Sequence, residues 1–267
     1  MYKEFFNFRE RPFSKTPDPL YLYPSRSHRE ALARLLHAVE EREIILLTGD
    51  IGCGKTTLSR ALLDELGDTA RVALVTNPRL SPLELLYSVA FGFGVETPAK
   101  DRLGLLGQIE QILFDLFHQG RLPVLIIDEA HLIPHRDTFE EIRLLTNFQL
   151  DDGNLLSVIF LGQPELRLRL SHPAYEPLRQ RIGLQYKVGP LSLEETAAYI
   201  RHRLSCAGCV TDIFLEDAVI ALYRFSGGVP RRINQAASLA LLEAFGREQA
   251  QVDASIIAEV AAELSGI

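Results

Sequence analysis

Cysteine is scarce in this chain: Cys53, Cys206 and Cys209 are the three in 267 residues. An odd count fits a reducing compartment and offers no disulfide framework. Cys206 and Cys209 form a C-A-G-C segment, but a zinc ribbon needs a second pair of that spacing and the chain has none. The pair also ends a helical pattern, whereas a thioredoxin-like pair follows a strand and opens a helix. Both therefore read as structural cysteines. Long apolar runs are missing too. No stretch approaches the ~20 apolar residues of a membrane span, and the N-terminus, MYKEFFNFRERPF, lacks the apolar segment of a signal peptide. The chain thus reads as cytoplasmic, reaching the inner face of a membrane only through a partner. Positive charge is short: the net charge of −7 argues against a polyanion-coating protein, while leaving room for a local basic patch. Lysine is rare beside arginine, which suits forks on phosphate and carboxylate; the base composition of the gene explains that bias equally well. There are no internal repeats and no low-complexity linker.

What is present is an ordinary globular composition, long enough for one large domain or two smaller ones. Residues 1–28 are rich in aromatics and proline and read as an extended arm packed on the body, followed by a helix from about His28 to Glu41 with Leu32, Leu35, Leu36 and Val39 on one face. Strands and helices then alternate. EIILLT and RVALVT read as strands. Ser81-Pro82-Leu83-Glu84 is a helix start with a cap, a first-turn proline and a capping-box glutamate, predicting a helix through Phe91. Leu103 to His118 is amphipathic, Pro123 to Ile127 is a buried strand, Thr138 to Phe148 is helical, and LLSVIFL is another strand. This alternation predicts a parallel sheet with helices on both faces. After about Pro190 strand signals stop. Ser192-Leu193-Glu194-Glu195 is a capping box, with helices expected to Cys206, over Leu215 to Tyr223, over Pro230 to Phe245, and from an Asp253 cap to Leu264. The expected division is an α/β domain with its arm over 1–190 and an all-helical domain over 191–267.

The chemistry is concentrated after the first strand. Gly49-Asp50-Ile51-Gly52-Cys53-Gly54-Lys55-Thr56, continued by Thr57, matches G-x-x-x-x-G-K-[ST] in full, with a strand before it and a helix after it. The glycines let backbone amides wrap phosphate oxygens, and the helix that follows aims its N-terminus at that charge. Lys55 would reach the β- and γ-phosphates and the Thr56 hydroxyl would ligate Mg²⁺. Such a site needs a second acidic element, and Val124-Leu125-Ile126-Ile127-Asp128-Glu129 supplies one. Asp128 would assist the metal and Glu129 would polarise a water for attack on the γ-phosphate. Asp128 to His131 also spell D-E-A-H, the signature of a helicase class, but those proteins resemble two tandem motors. This chain is too short for the second, and it lacks their Ser-Ala-Thr segment and late Gln/Arg-rich motif.

Later polar residues refine the reading. Gln163 stands at the carboxyl end of LLSVIFL, where ligand groups gather in open α/β sheets; it could hold the attacking water or sense the γ-phosphate, or simply begin a turn before Pro164. In Pro177-Leu178-Arg179-Gln180-Arg181-Ile182, either arginine is placed as a finger into a neighbour's site, with surface arginine as the alternative. Gly227-Gly228-Val229-Pro230-Arg231-Arg232 opens a helix of the C-terminal part, where Arg231 could fold over the γ-phosphate or form a solvent salt bridge.

Together these segments resemble an AAA+ ATPase, a P-loop NTPase whose five-stranded parallel sheet precedes a small helical lid. More narrowly, the chain resembles the general secretion pathway ATPases of the GspA/ExeA type. The resemblance is carried by MYKEFF with RPFSKTPDP, GDIGCGKTT, LIIDEAH, IRLLTNFQ, FLGQPELRLRL, QRIG, YIRHRL and SGGVPRRIN, covering nearly the whole chain. It implies ATP as the nucleotide, Mg²⁺ as the cofactor, and nucleotide-dependent homo-oligomers, rings or dimers. In secretion members the module precedes a membrane span and a cell-wall-binding part and helps assemble the outer-membrane secretin, which implies an envelope or secretion-complex partner. This chain ends at Ile267 without a span, so it is either part of a longer protein or a stand-alone relative. The family usually has Thr where Cys53 stands, and a thiol beside Lys55 and a helix N-terminus could act as a redox switch or merely fill space. The resemblance also implies that Pro12 and Phe13, with Tyr23, lie near the base, with plain core packing as the alternative. Related modules act in pilus biogenesis and in transposition target selection. A nucleic-acid partner, kept open by Arg167, Arg169, Arg179 and Arg181, is disfavoured by the acidic balance. A nucleotide-gated adaptor with negligible hydrolysis is the third reading.

Overall fold

The structure is a computed structural model that describes residues 2–14, 19–150, 153–209 and 211–266. In chain order its elements are α1 (Tyr2–Phe5), α2 (Arg26–Glu40), β1 (Ile44–Gly49), α3 (Lys55–Leu66), β2 (Ala70–Val75), α4 (Pro82–Phe93), α5 (Arg102–His118), β3 (Leu122–Ile127), α6 (Arg136–Leu145), β4 (Gln149–Leu150), β5 (Gly153–Asn154), β6 (Ser157–Gly162), α7 (Pro164–Leu170), α8 (Glu176–Arg179), β7 (Ile182–Val188), α9 (Leu193–Cys206), α10 (Glu216–Ser226), α11 (Pro230–Gly246) and α12 (Ala254–Ser265). The five long strands form one parallel sheet in the order β2-β3-β6-β1-β7, and β4 pairs antiparallel with β5 as a separate small hairpin. Several boundaries follow from local chemistry. Ser81 and Glu84 close a reciprocal capping box at α4, with Pro82 in the first turn, and Ser192 with Glu195 does the same for α9. Asp253 accepts from the amides of Ser255 and Ile256 to start α12.

The chain divides into two compact units. One comprises Arg29–Asp50 and Leu58–Val188 and holds the whole sheet. Its strand side chains alternate between faces. Ile44 and Leu46, Leu125 and Ile127, and Val158 and Phe160 share a core with Leu86, Ile109 and Phe139 of α4, α5 and α6. The intervening Ile45, Leu47, Ile126, Ile159 and Leu161 are also fully buried. Both faces are therefore covered, which explains why these strands read as unbroken apolar runs. β1 lies between β6 and β7 with all six residues buried.

The second unit joins the chain up to His28, Ile51–Thr57 and the chain from Gly189 onward. Helices α9 to α12 build its core, and Phe6, Phe8 and Phe13 complete it. Phe13 stands edge-on to Phe214 with ring centroids 5.8 Å apart. Among the described residues the only strand-like pairing in this unit is a bridge between Phe214 and Val252. On sequence grounds residues 1–28 group with the α/β part; the described apolar residues of this arm pack instead with the helical segment, because that segment offers the aromatic and aliphatic surface they need. The arm also begins with a helical turn, α1, and is not extended throughout. Two further elements carried no periodic signal, the β4–β5 hairpin and the short helix α7. Helix α6 stops before the expected Phe148, where the Thr146 hydroxyl donates back to the Arg143 carbonyl at 2.7 Å and tightens the last turn.

A buried arginine fastens the arm. Arg203 is 6% exposed and donates to the carbonyls of Pro12 at 2.6 Å and Ser14 at 3.3 Å, with its guanidinium 4.4 Å from the centre of the Tyr21 ring. Replacing it with methionine keeps the apolar stem but leaves two carbonyls without their charged donor. Arg203→Met should therefore cost about 2–3 kcal/mol in urea denaturation and expose the arm to limited proteolysis. An unchanged midpoint would mean that the phenylalanines alone hold it.

Candidate functional site

In the sheet-bearing unit, β1, β6 and β3 are adjacent and parallel, so their carboxyl ends share one edge. Gly49 ends β1, Asp128 follows β3 and Gln163 follows β6. The three sequence-predicted residues are therefore brought to one edge by the strand order alone, the place where open α/β sheets bind ligands. Asp128 is 7% exposed, and its amide donates to the Val75 carbonyl at 2.9 Å. One of its carboxylate oxygens accepts the Glu129 amide at 2.8 Å. Glu129 adopts a left-handed backbone, φ 49°, a conformation that costs a non-glycine residue about 1 kcal/mol or more. Its side chain remains 39% exposed, so water can reach the carboxylate.

His131 ties this edge together. Its Nδ1 accepts the Gln163 backbone N–H at 3.4 Å, and its Nε2 lies 2.9 Å from the Gln163 amide group and 3.4 Å from a Glu129 carboxylate oxygen. The D-E-A-H string displayed this histidine, but nothing in its spacing linked it to a glutamine 32 positions later.

In the other unit, Ile51–Thr57 form the phosphate loop and the first turn of α3. Gly52 and Gly54 have φ of 86° and 91°, the left-handed side that glycine alone takes freely. Close packing adds a second reason. A Cβ at Gly52 would lie 2.5 Å from the Arg231 Cβ, and one at Gly54 would lie 2.8 Å from His28 Nε2. The loop's peptide groups are held from this side. His28 Nε2–H donates to the Cys53 carbonyl at 2.9 Å, and the Arg231 backbone N–H donates to the Gly52 carbonyl at 3.2 Å. In a planar trans peptide the N–H points opposite to the C=O. The amides of Cys53 and Gly54 are thus turned away from His28 and Arg231, as anion binding requires. Lys55 is 6% exposed and Cys53 is wholly buried, whereas Asp50 and Ile51 face solvent. Thr56 and Thr57 are half-buried.

His28 was not legible as a site residue. It is 4% exposed, and its Nδ1 accepts the Ser25 hydroxyl at 2.6 Å, while the same oxygen accepts the His28 amide at 3.3 Å. A carbonyl can only accept, so the neutral ring carries its proton on Nε2. Burial pushes its pKa below the ordinary histidine value, more than the bond to the Cys53 carbonyl raises it.

The remaining expectations sort by their contacts. Arg231 is exposed beside the loop. Arg181 donates to the Thr146 hydroxyl at 2.8 Å, and Arg179 pairs with Glu176 and donates to the Ser171 carbonyl at 3.0 Å. Arg169, a candidate for nucleic-acid contact, stacks over Phe139 and Tyr175 and donates to the carbonyls of Ile133 and Pro134. The Pro12 carbonyl accepts from Arg203, and Phe13 packs edge-on to Phe214. Among the described residues no group of three or more His, Cys, Asp or Glu side chains is placed to hold a metal. No helix among them is long and apolar enough to cross a membrane.

A loop that presents amides after β1, with two carboxylates after β3 of the same parallel sheet, defines a P-loop nucleotide-binding fold, and the chain belongs to the AAA domain family, which matches residues 37–170. General secretion pathway protein A of Aeromonas hydrophila is 41% identical over an alignment of 277 residues that covers all of this chain and 49% of that protein. The chain thus spans about half the length of this relative. Solved structures share the fold at low identity. The Aeropyrum pernix ORC1 protein, solved in complex with DNA, has a TM-score of 0.68 at 18% identity over 96% of this chain and 70% of its own. The Pyrobaculum aerophilum Cdc6p has 0.67 at 16% over 90% and 67%, and the Thermotoga maritima RuvB branch migration motor has 0.60 at 19% over 88% and 68%.

The acid limb of stability should report on His28. Its folded-state pKa is lowered, so above the ordinary value of 6.5 neither folded nor unfolded chain binds the proton. Below that value the unfolded chain binds it first, and stability falls by up to ~1.4 kcal/mol per pH unit until the folded ring protonates. His28→Gln keeps an amide donor but cannot titrate, so its unfolding free energy should lose this share of the slope between about pH 6.5 and 5. Identical slopes for both proteins would contradict the assignment.

Proposed function

We propose that this chain is a Mg²⁺-dependent ATPase whose assembly state changes with its nucleotide. The observation that carries the reading is the loop, whose amides are turned outward by bonds to the carbonyls of Cys53 and Gly52. In this reading Gly49 to Thr57 wrap the phosphates and Lys55 contacts the β- and γ-oxygens. The Thr56 hydroxyl and Asp128 would hold Mg²⁺, which would supply positive charge against the phosphate oxygens. Glu129 accepts a proton from the attacking water, and Gln163 and Arg231 report the γ-phosphate. An arginine of a neighbouring subunit, Arg181 or Arg179, completes the charge stabilisation. Both now bond within their own chain, to Thr146 or to Glu176 and Ser171, and either finger must exchange those bonds for phosphate. For Pro12 and Phe13 the packing beside Arg203 and Phe214 supports a scaffolding part in place of base contact. The helical domain from about residue 191 serves as the lid.

Identity to general secretion pathway protein A supports a place in an envelope secretion complex, with work done on a protein partner at the inner face of the membrane. The alternative of DNA-linked regulation is weakened by Arg169, whose guanidinium is committed to Phe139, Tyr175 and two carbonyls. Salt-sensitive DNA binding near physiological ionic strength would reverse that preference.

Lys55→Ala should weaken binding of a fluorescent ATP analogue at least ~10-fold, through loss of a charge-assisted contact. Glu129→Gln should keep that affinity, lower turnover by ~100-fold or more, and accumulate oligomers with ATP. Specific activity of the unaltered protein should rise with protein concentration, because the finger arrives from a neighbour. A flat profile would remove the finger, and equal turnover of the Glu129→Gln protein would remove the catalytic glutamate.

A further inference from the structure

Three polar groups face the His131 ring: the Gln163 backbone N–H, the Gln163 side-chain amide and the Glu129 carboxylate. A neutral imidazole has one N–H and one lone pair. The Gln163 backbone N–H, 3.4 Å away, takes the lone pair of Nδ1. The ring proton is then on Nε2, and two groups compete for it: the Gln163 side-chain amide at 2.9 Å and the Glu129 carboxylate at 3.4 Å. A half-turn of the amide, isosteric with its partner orientation, sets the Gln163 oxygen toward Nε2–H as the closer acceptor. The ring has little room to leave, with only 13% of its side chain exposed. Glu129 is held from its backbone as well: its amide donates to Asp128 and its carbonyl accepts the Leu132 amide at 2.8 Å. What remains adjustable is the carboxylate, and His131 is the neighbour placed to adjust it.

We propose that His131 is a positioning residue that couples the Gln163 side chain to the Glu129 carboxylate. With Gln163 bound to it, the single N–H is occupied and Glu129 swings without a fixed partner. When the Gln163 amide turns to a γ-phosphate, the N–H passes to Glu129 and fixes the carboxylate as the base for water. No bond between heavy atoms forms or breaks; one hydrogen bond is exchanged for another. The histidine thus makes water activation conditional on an intact triphosphate. This rests on the reading of Glu129 and Gln163 given above.

The test uses the full chain. His131→Ala, His131→Gln, Gln163→Ala and the double variant His131→Ala/Gln163→Ala are compared with unaltered protein and with Glu129→Gln. The measurements are thermal unfolding, affinity for a fluorescent ATP analogue, kcat and KM. Loss of a positioning bond predicts that His131→Ala keeps affinity and KM within about 2-fold while kcat falls at least ~10-fold. His131→Gln, which restores an amide donor at similar reach, should recover part of that loss. The double variant should be no slower than the slower single, because both act through one bond. In the nucleotide-free protein, ¹⁵N spectra of the imidazole should show the Nε2–H form. Addition of a non-hydrolysable ATP analogue should shift that signal in unaltered protein and leave it in place in Gln163→Ala. A kcat within 2-fold for His131→Ala, multiplying losses in the double variant, or an Nδ1–H ring would each overturn the coupling. Failure of the underlying reading is separable, since it shows as full activity in Glu129→Gln, and the coupling then falls with it.

Discussion

Everything at the phosphate loop depends on which way two consecutive peptide groups face, Gly52–Cys53 and Cys53–Gly54. A chain that is to bind an anion with its amides must point the matching carbonyls away from it, and those carbonyls need donors of their own. Here a side chain and a backbone supply them: His28 takes the Cys53 carbonyl and the Arg231 amide takes the Gly52 carbonyl. Because His28 lies in the first turn of α2 and Arg231 in the first turn of α11, the loop's conformation is set by groups far from it in sequence. The two glycines are then required twice, for their backbone angles and for the space that His28 and Arg231 occupy.

The same distance in sequence explains what could be read from the chain and what could not. The sheet was legible because strands buried on both faces become unbroken apolar runs, as in Ile44 to Leu47 and Val124 to Ile127. The helix starts were legible because capping boxes are local, as at Ser81 and Ser192. The phosphate-loop motif and the Asp128–Glu129 pair were legible as candidates because each lies within a few residues of a strand end. His28, by contrast, looks like an ordinary residue in a helix start, since Ser25-x-x-His28 is the spacing of any serine cap. Its partner lies 25 positions on. Arg169 shows the same limit from the other side. As a letter it suited a basic track; in the fold its guanidinium is engaged by the Phe139 and Tyr175 rings and by two carbonyls. The arm's aromatics announced burial correctly, but composition says nothing of which surface buries them.

Strain marks the other half of the chemistry. Glu129 sits in a left-handed conformation that β-carbon sterics oppose. It is held there by its own backbone bonds, its amide donating to the Asp128 carboxylate and its carbonyl accepting the Leu132 amide, a local over-determination of the kind that accompanies functional residues. The effect is to turn the chain sharply after β3, so that Asp128 stays buried while the next carboxylate remains accessible to water. Two adjacent acids thereby acquire different environments from one backbone turn, which is what a metal-assisting group and a proton acceptor need.

Cys53 shows how a loop can be strict in backbone and permissive in side chain. The thiol is wholly buried, so an oxidant reaches it only when the loop opens, and opening breaks the His28 bond. The bond to His28 is made by the carbonyl of this position, and any small side chain that fills the same space leaves it in place. That separates two properties which the bare motif merges. G-x-x-x-x-G-K-[ST] states where glycine and lysine must stand, whereas the bonds made by His28 and Arg231 state why the peptide groups between them face as they do. A redox role for Cys53 would need the loop to open first and give up the bond that His28 makes to the Cys53 carbonyl. Space filling accounts for its burial with no such requirement.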